Sequence, residues 1–263
     1  MKGILDKISS KSINYYIENN LDDFYIKSAK HPNFISQINE RLMWVFSKHA
    51  DWPECIFRAN FEKKNIEDEI NQVIHFIKEA QIPNGWTIGP LTFPSNLGSF
   101  LEKSGFKNVY QQAGMAADLK SLIKSHISQT DLKIIKIESE MHLKEWKEIV
   151  SQVFNIRVDF ELLEYLLLQE ETKFYLGTFK GTPVSALMLY LSSGVAGLHA
   201  VSTLSEYRSK GFGLIISKTA LIDAFYLGYQ IGVLQASSLG ERVYRKLGFK
   251  KYCDVISYTL EID

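Results

Sequence analysis

Tyr207-Arg208-Ser209-Lys210-Gly211-Phe212-Gly213 lies between a run that reads as a strand, Gly197 to Leu204, and one that reads as a helix, Gly213 to Gly228. A turn in that place directs several unpaired backbone N–H groups at one spot, at the positive end of the helix macrodipole, where an anion such as a pyrophosphate is stabilised. Glycine at 211 and 213 removes the Cβ atoms that would keep a diphosphate from hydrogen-bonding distance. Arg-x-x-Gly-x-Gly alone is a weak signal, and its surroundings decide its meaning.

Further on, an apolar strand (Ile231 to Ala236) passes through Ser237 and Ser238 into a short helix containing Tyr244 and ending at Gly248-Phe249. Glycine just past the last periodic residue is a helix-stop signal. Strand, anion turn, helix, strand, helix and Gly-Phe, in that order, resemble the acyl-CoA-binding core of the GNAT superfamily of N-acetyltransferases. That signature pairs Arg/Gln-x-x-Gly-x-Gly/Ala with a Tyr-x-x-x-Gly-Phe helix end, and both parts stand here as Arg208 to Gly213 and Tyr244 to Phe249.

The resemblance implies an α/β (α+β) fold with a mixed, mostly antiparallel sheet flanked by helices, and acetyl-CoA as co-substrate with no metal. Pantetheine would bond to backbone at Val201, Ser202 and Thr203. The pyrophosphate would take the amides of Arg208, Ser209, Lys210, Gly211, Phe212 and Gly213, with Ser237 bordering the same cleft. Tyr244 stands where the family has its general acid. His199, on the strand just before the turn, is the candidate base, with a buried structural histidine as the other reading of the same residue. Gly197 stands where protein-lysine acetyltransferases of this superfamily have glutamate. Ser205 and Ser237 depart from the common proline and asparagine, and neither change removes a backbone donor.

The first half contains an echo of the second. Ile88-Gly89-Pro90-Leu91, Ser95 and Lys103-Ser104-Gly105-Phe106-Lys107 overlay Ile231-Gly232-Val233-Leu234, Ser238 and Lys246-Leu247-Gly248-Phe249-Lys250 without a gap. We expect tandem GNAT-like domains, a degenerate one over 1–125 and an acetyl-CoA-binding catalytic one over 126–263, joined by the polar segment Lys120 to Thr130. The first lacks the chemistry: no glycine falls between Phe57 and Asn84, Glu67 to Glu69 put negative charge where a pyrophosphate would sit, and Leu101 overlays Tyr244. Amphipathic spacing predicts a helix over Ser12 to Lys30 that buries Ile13, Tyr16, Ile17, Leu21 and Phe24. In the family, the helices here at Met141 to Phe154 and Phe160 to Glu170 roof the acceptor site. Glu161, Glu164, Glu170 and Glu171 either attract a cationic amine there or form a solvated face.

With 263 residues, 46% of them hydrophobic, the chain can fill one large or two ordinary cores. Thirty basic and thirty acidic residues cancel, so no global charge draws it to nucleic acid or to an anionic membrane. Cys55 and Cys253 form no metal or redox spacing, and with no signal-peptide core the expected location is cytoplasmic. The function expected is acetyl transfer from acetyl-CoA to the primary amine of a small molecule. The alternatives are a protein or peptide N-acetyltransferase and a non-catalytic acyl-CoA-binding module. Oligomeric state is not legible.

Overall fold

The computed structural model describes residues 4–10, 12–123 and 131–262. The first half runs α1 (Ile13–Ser28), β1 (Ile35–Ile38), β2 (Met43–Phe46), β3 (Cys55–Phe57), α2 (Ile66–Lys78), β4 (Gly85–Ile88), α3 (Leu97–Lys103), β5 (Phe106–Asp118) and α4 (Leu119–Ile123). The second runs β6 (Leu132–Lys136), α5 (Glu140–Phe154), α6 (Phe160–Leu167), β7 (Thr172–Phe179), β8 (Thr182–Ser192), β9 (Val195–Thr203), α7 (Phe212–Tyr226), β10 (Ile231–Ala236), α8 (Ser238–Lys246) and β11 (Lys250–Leu260). The boundary expected at 125/126 lies outside the described residues.

Local chemistry starts several helices. Ser139, Asp159 and Ser237 each sit at an N-cap and accept from an N–H three residues on, that of His142, Leu162 and Gly240. Gly105 and Gly248, with φ of 94° and 86°, follow α3 and α8 in the same way, so the repeat is real at its helix ends. It is not gap-free, however. β4 stops at Ile88, where the overlay has its strand begin, and residues 89–96 form a loop to α3, whereas only Ser237 separates β10 from α8. The short exposed strand β1 was not foreseen, because a sheet edge with both faces in water leaves no hydrophobic pattern.

Among the described residues the strands form one sheet in the order β1-β2-β3-β4-β11-β5-β10-β9-β8-β7-β6. The last strand of each half lies beside the other half. β5 pairs antiparallel with β10, from Ile231↔Asp118 to Ala236↔Ala113, and β11 pairs antiparallel with β4, with Ile256 opposite Ile88. β5 and β11 also run antiparallel to each other, from Lys250↔Ala116 to Leu260↔Phe106. The exchange leaves neither β10 nor β4 as an open edge and makes the sheet continuous across the two halves.

Side chains from both halves share the same cores. Phe24, Val45 and Phe57 pack in one cluster with Trp146, Leu163, Phe174 and Met188, and Met115 and Ala117 of β5 pack with Leu234, Leu247 and Phe249. Helix α1 lies across β5 and β8 to β11. Ile13, Ile17 and Phe24 are buried as its spacing predicts, whereas Tyr16 and Leu21 are only half-buried and Glu18, Asn19, Asn20 and Asp22 are buried as well. No described helix is long and apolar enough to cross a membrane.

Candidate active site

β9 and β10 run parallel through Gly232↔Ala196, Val233↔Gly197 and Leu234↔Leu198, and their pairing stops there. On the other edge of β9, Met188 faces His199 and Ala186 faces Ser202, so Ala200 and Val201 stand opposite Leu187 alone. This is a bulge: Ala200 has φ of 50°, and a residue at that place drops out of the ladder. The indole N–H of Trp146 donates to the carbonyl of Leu187, the β8 residue opposite the bulge, at 3.1 Å. A divergence and a bulge at the same level open a wedge in the sheet.

The turn after β9 has the form the sequence led us to expect. Gly211 caps α7 in the left-handed region with φ of 79°, and Ser209 is at 63°. The N–H groups of residues 209–214 find no hydrogen-bond acceptor among the described residues, so six consecutive donors are free at the start of a 15-residue helix. A Cβ built on Gly211 meets nothing within 4 Å, and one on Gly213 meets only Thr203 Oγ1 at 3.8 Å, so the space over the amides is open. The two basic side chains are differently engaged. Arg208 Nε donates to the Thr203 carbonyl at 3.2 Å, and Lys210 Nζ lies 4.9 Å from the ring centre of Tyr207 and 5.6 Å from that of Phe179. In this conformation the backbone, more than these side chains, is what the turn offers an anion.

A cavity of about 310 Å³ fills the wedge. His199, Val201, Ser237 and Tyr244 line it, whereas Ser202, Thr203 and Arg208 to Gly213 lie outside it. Ser202 is buried, with its hydroxyl 3.5 Å from the Ala186 carbonyl, and Thr203 Oγ1 is 3.1 Å from Ser185 Oγ. The Ser237 hydroxyl is engaged as the α8 cap, accepting from Gly240 N–H at 3.1 Å. Sequence reasoning missed the opposite wall, made of Leu21, Phe24 and Tyr25 from α1, Trp52, and Phe154 at the end of α5. It missed as well the lining from Thr87, Tyr110, Gln112 and Ser257, which the strand exchange brings beside β10. The acidic roof is not at the site. Glu161, Glu164, Glu170 and Glu171 are absent from the lining; Glu171 pairs with Lys27 at 2.5 Å and Glu161 accepts from Asn33.

His199 is held by α1. Asn20 Nδ2 donates to the Tyr190 carbonyl at 3.1 Å and to Ser192 Oγ at 2.9 Å, which leaves Asn20 Oδ1 to accept from His199 Nε2–H at 2.9 Å. The proton is thereby fixed on Nε2 and the lone pair on Nδ1. Burial pushes the imidazole down to about 4, so the ring is neutral through the physiological range. Against an amine near 10, complete proton transfer to it is uphill by roughly 8 kcal/mol. Burial raises the Tyr244 phenol to about 12, with Ser217 nearby limiting the rise. The two hydroxyls are not in hydrogen-bonding geometry, and Ser217 Oγ is buried without a partner among the described residues.

Behind the α1 wall lies a buried polar seam. Arg58 Nε donates to Asp22 at 2.6 Å and Arg58 Nη2 to Asn19 at 2.9 Å, while Glu18 accepts from the Leu91 N–H at 2.6 Å. Burial, with Asp22 adding its charge, raises the Glu18 carboxyl from 4.5 to about 8. The folded chain therefore holds a proton that the unfolded chain releases. The stability so gained is whole below about pH 4.5 and is lost as pH rises through 8. Glu18→Gln, which keeps the acceptor and removes the charge, should raise Tm by roughly 5 °C at pH 9 and leave it unchanged at pH 4. Equal melting shifts at both pH values would contradict this.

Among the described residues the first half has no equivalent of the anion turn. α2 opens with Glu67, Asp68 and Glu69, and Arg41 bonds to Glu69 and Gln72. Negative charge occupies the helix start that an anion would need.

No family model and no curated protein matches the sequence. Solved structures match it over nearly its whole length. A GCN5-related N-acetyltransferase from Kribbella flavida is 13% identical with a TM-score of 0.70, covering 97% of this chain and 96% of its own. One from Sphaerobacter thermophilus is also 13% identical, with a TM-score of 0.62 over 98% and 96%. A tandem GNAT protein from the clavulanic acid biosynthesis pathway is 10% identical, with a TM-score of 0.61 over 98% and 97%.

Proposed function

We propose that this chain, which has the tandem fold of the GCN5-related N-acetyltransferases, moves an acetyl group from acetyl-CoA to a primary amine of a small molecule, using one cofactor site in its second half. The observation that carries the reading is the row of free amides at residues 209–214 beside a wedge that holds Tyr244 and His199. Diphosphate oxygens would meet those amides, and pantetheine would follow the edge of β9 into the wedge. The uncharged amine attacks the thioester carbon, its nitrogen forming the new C–N bond as the carbonyl becomes an oxyanion. A strand N–H near Val201, at the bulge, would stabilise that charge. Collapse breaks the C–S bond and releases CoA thiolate and, after loss of a proton to water, the amide.

Tyr244 at about 12 facing a thiol near 8.5 gives up its proton uphill by about 5 kcal/mol, so its part is to hydrogen-bond the departing sulfur. His199 Nδ1 offers an acceptor to the amine or to a water that relays its proton. The weak basicity of His199 favours a second reading, a non-catalytic acyl-CoA-binding module, and turnover separates the two.

Tyr244→Phe should lower kcat by at least about tenfold with little change in acetyl-CoA affinity, since it removes one hydroxyl and little packing. Unchanged turnover would return Tyr244 to the core. A parallel loss of affinity would mean structural damage and leave the catalytic role without support.

A further inference from the structure

The lining of the wedge sets what it admits. Once the thioester reaches Val201 and Tyr244, the wall left for the acceptor on the α1 side is Leu21, Phe24, Tyr25, Trp52 and Phe154, while Thr87, Tyr110, Gln112 and Ser257 line the other side with polar groups that carry no charge. Among the described residues that line the cavity there is no Asp, Glu, Lys or Arg, and His199 is neutral above about pH 4. Two nearby arginines are engaged elsewhere, Arg157 with Asp51 at 2.6 Å and Arg58 with Asp22 behind α1, and burial holds the Glu54 carboxyl up at about 7.

From this, and resting on the acetyl-transfer reading, we infer that the acceptor is a primary amine on an apolar, preferably aromatic body that carries no second charge. A monoamine enters uncharged and leaves no ion in the cavity. A polyamine brings an ammonium, and an amino acid a carboxylate, into a place with no counter-charge, where a buried ion is unfavourable. Flat rings also suit a wall in which Phe24 and Trp52 already lie 5.1 Å apart between centroids. The same apolar wall lowers the pKa of a bound ammonium. That reduces the need for a strong base and fits the weak one that His199 supplies.

The test uses the full-length protein with acetyl-CoA, following CoA thiol release and acetylated product for 2-phenylethylamine, spermidine and phenylalanine. The expected kcat/KM for 2-phenylethylamine exceeds those for the other two by at least about 100-fold. Spermidine or phenylalanine acetylated as efficiently would overturn the inference while leaving acetyl transfer intact. With no amine acetylated, equilibrium dialysis in the presence of CoA decides. Retention of 2-phenylethylamine and not spermidine supports this cavity assignment, although the transfer reading fails; retention of neither overturns it. Phe154→Asp is the second arm. Phe154 is 47% exposed at a helix end, so the fold tolerates the change. A carboxylate there should shift the spermidine to 2-phenylethylamine ratio of kcat/KM upward by about tenfold. An unchanged ratio, with activity on 2-phenylethylamine retained, would put the acceptor elsewhere and overturn the proposal.

Discussion

Gly211→Asp should abolish acetyl-CoA binding to an otherwise folded protein. Gly211 has φ of 79°, where a side chain is strained by about 1 kcal/mol, and its Cβ position faces open space, so the substitution disturbs no packing. What it adds is a carboxylate over the amides of 209–214, able to accept from them itself and to repel a diphosphate. The two effects act together. A loss of affinity of at least about 100-fold is expected by calorimetry, with Gly211→Ala losing less than about tenfold because it brings bulk without charge. A Kd unchanged by aspartate would place the diphosphate away from this turn.

The second large effect concerns the chain as a whole. Residues 126–263 expressed alone should be insoluble or unfolded, and should not acetylate any amine. The free amides are local to the second half, so from sequence the fragment is expected to keep some acetyl-CoA affinity. The strand exchange changes that expectation. Without β5, β10 loses its antiparallel partner, β11 loses both neighbours, and the apolar surface that Met115 and Ala117 cover is exposed. His199 loses Asn20, and the wedge loses the α1 wall. A soluble fragment with full activity and unchanged acceptor preference would contradict this account, leaving the first half as an independent module.

What was legible from sequence was what short segments decide by themselves. The turn at Arg208 to Gly213, the stop at Gly248-Phe249 and the helical face of Ile13, Ile17 and Phe24 follow from glycine dihedrals, helix ends and periodicity. What was not legible depends on distant partners. Glu18, Asn19 and Asp22 read as the polar side of α1, and nothing within the helix announces Arg58 or the Leu91 N–H. Leu21 and Phe24 read as core; Phe24 is buried, yet both also line the cavity, because the helix crosses the end of the wedge. The exchange of β5 and β11 keeps each strand's own pattern intact, so no local signal distinguishes it from two closed halves. The overlay of Ile88 on Ile231 failed for a related reason. Its helix ends match, while the added residues before α3 lie in a loop whose length no periodicity constrains.

The most direct test is acetyl transfer itself, followed as N-acetylated product and free CoA with the full-length protein, acetyl-CoA and 2-phenylethylamine. The account predicts equal amounts of the two products, a rate that falls at least about tenfold in Tyr244→Phe, and no transfer by Gly211→Asp. Acetyl-CoA bound by the native protein with no acetylated amine above the protein-free rate, across 2-phenylethylamine, spermidine and phenylalanine, would contradict it.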